Sequence, residues 1–597
     1  MNALLIHNDN LPTSLINSFE NHLKFDIGQA KILEFDFSFD KEVNRQLDSA
    51  FENKSYDVIY IPYSLSLNNY LELSGLRLAL HIRLTESWGH KLVPIVFIGH
   101  ETKEQIAKLT DYGGFLFSSG TFSTTKFDYV QLREQYNWIQ NNWKRDKEPI
   151  LSISEYNTML SRIKVMPSAS HQSHHSLVNE WAMYRWAKAL GDLGVESQEL
   201  ALNDDNVSTD LYFKYLIAIN NISPLINGDI PKVNIQNSGK VLLIDDESNK
   251  GWYEIFCSIL YDRFPDLIEF DYVDDHLFRH KSQKEIIEIS KKHIIETEEL
   301  PDVVILDLRI HSSDYGATSI KEITGFKILE EIKRINPGIQ VIIFSATNKV
   351  WNLQALQVAG ADGFIHKESF ENSRLNSEFT FQSIENMLKQ VEESLSVNFL
   401  KDISSHLEPL LRKVETNSNK KPKNYKLTIP QGKLIGYRDY LTSANFLLYS
   451  NPKDLKYCFL QLILVIEDIV KSIYIDSIDG HVVQWSLNEP VVCLEKNDFY
   501  TKLKLKPRQK WNTFSEGDYI LEGDFEKKLF NDQVDRIPFN YRLNCVLYFK
   551  HNVQLEQSAK YSKLYRLRSS SVAHIGISVV QVKDVIDAIE LLKILTV

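Results

Sequence analysis

The chain has 597 residues, of which 43% are hydrophobic and 24% charged, with a formal net charge of −12. That length is too great for one core and predicts roughly three or four domains, and the acidic total argues against broad, nonspecific coating of DNA. No apolar run reaches the length of a membrane span, the first residues lead into a strand pattern rather than a signal peptide, and the scattered Cys257, Cys458, Cys493 and Cys545 fit neither a zinc pattern nor a disulfide framework, which points to a reducing cytoplasm.

In chain order, residues 1–130 alternate short apolar runs with helix-length stretches, the pattern of a parallel sheet. The runs are Ala3-Leu4-Leu5-Ile6, Ile32-Leu33-Glu34-Phe35, Val58-Ile59-Tyr60-Ile61, Pro94-Ile95-Val96-Phe97-Ile98 and Gly114-Phe115-Leu116-Phe117. Residues 131–235 read as a helical connector in which Trp138, Trp143, Trp181 and Trp186 are available for packing, and 227–239 reads as a linker. Residues 240–370 repeat the βα alternation with a different chemistry at the strand ends. Val241-Leu242-Leu243-Ile244 ends in Asp245-Asp246, Val303-Val304-Ile305-Leu306 in Asp307, Val341-Ile342-Ile343-Phe344 in Ser345, and Gly363-Phe364-Ile365-His366 in Lys367. The carboxyl edge of an open α/β sheet is where such folds place their chemistry. Residues 371–453 read as a helical linker with the basic, flexible segment Lys420-Lys421-Pro422-Lys423. Residues 454–597 open and close with amphipathic helices (Leu455, Phe459, Leu462, Ile466; Val585, Ile589, Leu592) around an irregular or partly extended insertion at 481–536. The fold class is therefore multidomain α/β plus α: two doubly wound parallel sheets, then a helical bundle with an insertion.

The acidic set of 240–370 resembles the response-regulator receiver domain, a flavodoxin-like fold. The resemblance implies that Asp245, Asp246 and Asp307 hold Mg²⁺, that Asp307 accepts a phosphoryl group, and that Ser345 and Lys367 serve the phosphorylation switch. Mg²⁺ prefers oxygen ligands supplied by one or two carboxylates plus phosphate and water, and an ammonium offsets charge on the transferring group. Two departures stand out: Glu368 follows Lys367 where the family commonly has proline, and the stretch from Leu308 to Gly325 is long, so that Asp314 or Glu322 is expected to cover the site. Residues 1–130 look like a degenerate relative of the same fold. Pro62-Tyr63 stands where an acceptor is expected, Asn8-Asp9 offers one acid, and Ser118 or Ser119 stands where a lysine is wanted. No phosphorylation is expected there; a docking or dimerisation surface is.

His171, His174 and His175 lie before Leu177-Val178-Asn179, and His175 to Asn179 faintly resembles the phosphoacceptor box of histidine kinases. No Gly-rich ATP-binding segment follows, and structural or solvated histidines are the favoured reading. Near the carboxyl end, Arg568 and His574 are separated by five residues in Arg568-Ser569-Ser570-Ser571-Val572-Ala573-His574. This resembles the signature of the HEPN superfamily, many of whose members are metal-independent ribonucleases that dimerise. A histidine titrating near neutrality suits proton transfer at a ribose 2′-hydroxyl, and arginine suits a phosphorane-like charge. The resemblance implies catalysis by Arg568 and His574, with Glu467 and Asp468 orienting the histidine, and Lys560, Lys563 and Arg566 add a basic face expected to hold RNA phosphates. A structural role stands beside it: Arg568 paired with an acid at a helix junction.

The functional expectation is a cytoplasmic, dimeric response regulator. A sensor histidine kinase phosphorylates Asp307 with Mg²⁺ as cofactor and so controls a ribonuclease acting on RNA, with no membrane partner. By domain-combination analogy this points to antiphage defence. The alternative is a nonenzymatic phosphorelay or scaffold protein whose HEPN-like domain only binds.

Overall fold

The computed structural model describes the chain except residues 27–36, 68, 144–152, 168–173, 193–206, 221–232, 297–298, 347–349, 369–376, 420–430, 451, 453, 474–480, 486–489, 495–498, 506–518, 527–538, 540–542, 544–546, 548–550, 552, 554, 573–578 and 597. The first sheet comprises β1 (Ala3–His7), β2 (Asn21–Lys24), β3 (Val58–Pro62), β4 (Ile95–Ile98) and β5 (Thr121–Thr124), with α1 (Phe37–Phe51) and α2 (Ser74–Leu84) in its crossovers. Its order is β2-β1-β3-β4-β5, every pair parallel. β1, β3 and β4 are buried at every position because the sheet is covered on both faces. Two expectations are corrected. Gly114–Phe117 belongs to a 3-10 helix (Gly113–Phe117), and the fifth strand is Thr121–Thr124. The second strand is Asn21–Lys24, and the run at Ile32 to Phe35 lies outside the described residues.

The connector supplies α3 (Tyr129–Trp138), α4 (Ile153–Arg162), α5 (His174–Asp192) and α6 (Leu211–Asn220). α6 packs on α2, and α4 packs on α6. α2 is buried along its whole length, including Arg77, His81 and Arg83. Arg77 and His81 meet a buried acid, and Arg83 donates from Nη1 and Nη2 to the carbonyls of Lys91 (2.9 Å) and Gly120 (3.1 Å), its Nε staying without a partner among the described residues. Asp40 accepts from Arg77 Nε and Nη2, both at 2.7 Å, from His81 Nε2 at 2.9 Å and from the Leu211 backbone N–H at 2.9 Å. Lys214 of α6 donates to Asn44 (2.6 Å), Thr85 (2.7 Å) and His81 Nδ1 (3.2 Å). Because the Asp40 carboxylate can only accept at Nε2, His81 carries a proton there.

The second sheet comprises β6 (Gly239–Ile244), β7 (Ile268–Tyr272), β8 (Val303–Asp307), β9 (Gln340–Ser345) and β10 (Gly363–His366), with α7 (Trp252–Leu260), α8 (Gln283–Glu296), α9 (Thr324–Ile335), α10 (Val350–Val358) and α11 (Ser377–Leu395). Its order is β10-β9-β8-β6-β7, again all parallel and the same topology as the first. One face packs on residues of α8 and α9, the other on α7 and α11. Connector helix α5 joins the latter core through Ala182, Met183, Trp186 and Leu190, with Trp186 edge-on to Trp252 (5.7 Å between centroids) and to Phe344 (5.8 Å).

The remaining helices are α12 (Phe399–Asn419), α13 (Gln431–Ser450), α14 (Lys456–Asp468), α15 (Leu555–Leu567) and α16 (Val582–Leu595). α12 packs on α13 and α16, and α14 packs on the same two, closing a four-helix ring on which α15 lies. Residues 371–453 are thus more than a linker. Leu400, Ile403, Leu407 and Leu410 recur at helical spacing and share one core with Leu441, Leu462, Ile466, Ile589 and Leu592. The insertion carries two antiparallel pairs, β11 (His481–Trp485) with β12 (Pro490–Leu494) and β13 (Phe499–Leu505) with β14 (Tyr519–Glu526). Among the described residues no helix is long and apolar enough to cross a membrane.

Candidate functional site

The carboxyl edge of the second sheet brings the expected acids together. β6 pairs with β8 and β8 with β9, so the ends of three neighbouring strands converge. One carboxylate oxygen from each of Asp245, Asp246 and Asp307 lies within 4.8 Å of the others. Lys367 Nζ donates to Asp245 Oδ2 at 2.8 Å and to Asp307 Oδ2 at 2.9 Å, all three side chains being buried. The ammonium also faces the rings of Phe344 (4.6 Å) and Trp252 (5.4 Å). Asp307 Oδ1 accepts from the backbone N–H of Leu308 at 2.6 Å. Ser345 ends β9, and its carbonyl accepts from the Lys367 N–H at 3.0 Å.

The electrostatics are those of a cation site. Burial and the neighbouring carboxylates of Asp245, Glu247 and Asp307 push the Asp246 carboxyl well above its usual range. Burial also raises Asp245, against the pull of Lys367, while the two acids hold the Lys367 ammonium high despite its burial. Asp246 Oδ1 is sealed from solvent without a hydrogen-bond partner. Three carboxylates against one ammonium, with one sealed and unpartnered oxygen, fit a hard divalent cation with oxygen ligands.

Asp314 and Glu322 do not cover this site, which corrects the expectation. Asp314 is buried and ties its own loop: it accepts from the N–H groups of Ile310 (3.1 Å), His311 (3.0 Å) and Thr324 (3.1 Å). Glu322 accepts from Thr318. The long loop after Asp307 is folded on its own carboxylate rather than laid over the acceptor.

Strand register makes the two sheets comparable residue by residue. A Cβ on Gly75 would stand 1.8 Å from the Pro62 carbonyl oxygen, and one on Gly325 would stand 2.3 Å from that of Asp307. Both glycines are the second residue of the helix after the third strand in order along the chain. Pro62 therefore occupies the place of Asp307. The pairings then set His7 and Asn8 at Asp245 and Asp246, Gly99 at Ser345, and Lys126 at Lys367. This corrects the lysine position expected at Ser118 or Ser119, which precede the strand. None of the three acids has a counterpart. Tyr63 stacks on Phe97 (5.2 Å) beside Gly99, where a Cβ would lie 2.3 Å from the Tyr63 ring. Asp9 lies one residue further on and pairs with Lys24.

The other expected residues are apart from this site or outside the described residues. His171 and His574 lie outside them; His174 and His175 begin α5, and their side chains are not described. Arg568 begins a π-helical turn (Arg568–Val572), with Nε 3.5 Å from Glu467 Oε1 on α14. Asp468 instead accepts from Tyr437 and lies 3.2 Å from Lys433. Lys560 is shared by Glu590 (2.9 Å) and Asp587 (3.8 Å), while Lys563 and Arg566 are exposed. A buried pair that sequence reasoning missed lies beside Lys367: Arg185 Nε donates to Glu368 Oε2 at 2.8 Å. The missing proline marks the Glu368 end of the pair, and nothing in the sequence marks Arg185.

Residues 10–124 match the family model described as "Inactive Receiver domain". Two curated relatives, both the non-toxic nonhemagglutinin type A of Clostridium botulinum, one from strain Kyoto / Type A2, are 26% identical over 121 residues, which is 20% of this chain and 9% of theirs. The chain thus spans about a tenth of the length of these relatives. Among solved structures, the BeF3-activated DrrB receiver domain is 17% identical, covering 27% of this chain and 98% of its own, at a TM-score of 0.17. A CheY-like receiver domain protein from Methanospirillum hungatei JF-1 is 18% identical, covering 26% and 98%, at 0.17. NtrX from Brucella abortus is 19% identical, covering 35% and 41%, at 0.20. Likenesses at such TM-scores carry no argument for this chain. The family match and the shared topology of the two sheets do: residues 10–124 belong to a receiver-like parallel sheet that lacks the acidic site, and a second parallel sheet repeats its strand order.

Proposed function

We propose that the second sheet is a phosphorylatable receiver that controls the helical bundle. The observation that carries this reading is Lys367 bridging Asp245 and Asp307 beside the sealed, unpartnered oxygen of Asp246. Asp245, Asp246 and Asp307 would hold Mg²⁺, which when bound supplies charge to offset the transferring phosphoryl oxygens. Asp307 is the nucleophile: its carboxylate oxygen attacks the phosphorus of a phosphohistidine on a sensor kinase, and the P–N bond breaks toward the histidine. Lys367 neutralises charge at the acceptor, and the Ser345 hydroxyl hydrogen-bonds the transferred group. Phosphoryl labelling by the kinase or by a small acyl phosphate tests this, with Asp307→Asn expected to abolish it. Labelling retained in that variant overturns the assignment.

The output in this reading is a HEPN-like ribonuclease built on Arg568 and His574, with Lys560, Lys563 and Arg566 holding RNA in a homodimer that acts in antiphage defence. A second reading, a binding or scaffold module, is favoured by one observation: the Nε of Arg568 faces the buried carboxylate of Glu467, the structural pairing of an arginine at a helix junction. Incubation with mixed RNA, with and without beryllofluoride, separates the two. Cleavage lost in Arg568→Ala and His574→Ala supports the enzyme, and no cleavage in either state supports the scaffold.

A further inference from the structure

The helix α5 is separated from Lys367 by more than 170 residues of sequence yet forms the wall behind it. Arg185 and Glu368 are both buried, and Arg185 Nη2 also donates to Thr380 Oγ1 at 3.0 Å. Glu368 is the next residue after Lys367, so the peptide that carries the bridging ammonium is held on its far side by α5. The neighbouring Trp186 packs on Trp252 and Phe344, the two rings that the Lys367 ammonium faces. Glu180, on the same helix, acts electrostatically on Lys250, which is paired with Glu247 at 2.8 Å in the loop after Asp245-Asp246. One helix thus bears on both loops that flank the acids. One turn before Arg185, Trp181 stacks on Phe213 of α6 (6.3 Å between centroids, 9° between planes). α6 in turn gives Asp40 its Leu211 N–H and plants Lys214 against α1 and α2.

We propose that Arg185, through its pair with Glu368, is a positioning residue for Lys367, and that α5 carries the state of the Asp307 site to the amino-terminal sheet. This rests on the phosphoacceptor reading of Asp307. An anionic group on Asp307 draws the Lys367 ammonium toward it and away from Asp245; the 367–368 peptide follows, and the Arg185–Glu368 pair on the adjoining residue is the contact that must adjust. Both ends of the path are packed, so the displacement is passed on rather than absorbed.

The test is amide hydrogen exchange on the full chain, with and without Mg²⁺ and beryllofluoride. In the unaltered protein, ligand is expected to change exchange along His174–Asp192 by about tenfold, within the usual range of coupling between sites. Arg185→Met and Glu368→Gln are expected to bind the ligand while losing that change, which a purely structural role for the pair would not produce. Ligand bound in the unaltered protein with exchange of α5 unmoved overturns the coupling and leaves the acceptor reading standing. Ligand that protects nothing around Asp307 overturns the acceptor reading and this inference with it.

Discussion

Lys367 holds two carboxylates that would otherwise repel in a buried pocket, and its removal leaves them unopposed. Breaking a buried, charged contact by removing one partner costs about 3 kcal/mol or more. Lys367→Met is therefore expected to lower stability by about that amount in metal-free buffer, and added Mg²⁺ should recover part of the loss by supplying the missing positive charge. Urea unfolding with and without Mg²⁺ measures both; equal stability of the variant and the unaltered chain in metal-free buffer would remove Lys367 from this role. A second residue-scale prediction concerns pH. Burial pushes the Lys214 ammonium down to about 7 from its ordinary 10.5, against the pull of Asp40, Asp48 and Asp210. Between these values the folded chain binds fewer protons than the unfolded one. The stability that the neutral amine permits is complete above 10.5 and lost as pH falls toward 7, at up to about 1.4 kcal/mol per pH unit. His81, pushed by burial down to about 4 with Asp40 opposing, adds a loss of the same sign as pH falls from 6.5. Lys214→Met should flatten the window above pH 7, read from exchange of the α1 and α2 amides at pH 7, 8 and 9. Parallel curves for the two proteins would contradict it.

The same backbone arrangement follows the third strand of both sheets, and at this scale the sequence was most legible where burial is greatest. The interior strands announced themselves as apolar runs because helices cover both faces. The edge strands β2 (Asn-His-Leu-Lys) and β5 (Thr-Phe-Ser-Thr) are only partly buried and carry no such run, so apolarity pointed to Gly114–Phe117 instead. The acids and Lys367 were readable from strand ends, whereas Arg185 was not, since nothing local says that a helix at 174–192 packs against residue 368. Gly325 shows how tightly the acceptor strand is held. A Cβ there would meet the carbonyl oxygen of Asp307 and Leu308 Cα, at 2.3 and 2.6 Å, which are backbone atoms that cannot swing away. Gly325→Ala is expected to cost about 2 kcal/mol through overpacking and to reduce phosphoryl labelling of Asp307 about tenfold or more by misplacing its carboxylate. Gly316→Ala, with nothing within 4 Å of its Cβ, is the control for the same loop. Melting and labelling of the two variants should diverge; equal behaviour would mean that α9 does not set the acceptor.

At the scale of the whole molecule, the boundary of the carboxyl-terminal unit matters most for any attempt to isolate its activity. The sequence places the start of that unit near Asp454, because the amphipathic stripe from Leu455 is strong and the basic segment at 420–423 looks like a break. The physical unit is larger. α14 packs on α13, and α16 packs on α12. Leu462, Ile466, Ile589 and Leu592 are buried in a core shared with Ile403, Leu407 and Leu441 of those preceding helices. Each large apolar side chain returned to water costs roughly 1.5–3 kcal/mol, and a domain's whole stability is about 5–15 kcal/mol. Exposing even a handful of them is enough to unfold the remainder. A fragment of residues 454–597 should therefore bind hydrophobic dyes and lack a cooperative melt, while a fragment of 397–597, which restores α12 and α13, should melt cooperatively. Differential scanning calorimetry of the two decides the matter, and a cooperative transition in the shorter fragment would show that α12 and α13 are accessory after all. If the longer unit is the folded one, α12 follows α11 of the second sheet after only three residues, Ser396 to Asn398, so the bundle is joined to the receiver-like sheet by helix rather than by a free linker. A shift in α11 then reaches the bundle through a short, packed connection, with Asn336 of the sheet unit already donating to the Lys401 carbonyl at 2.9 Å.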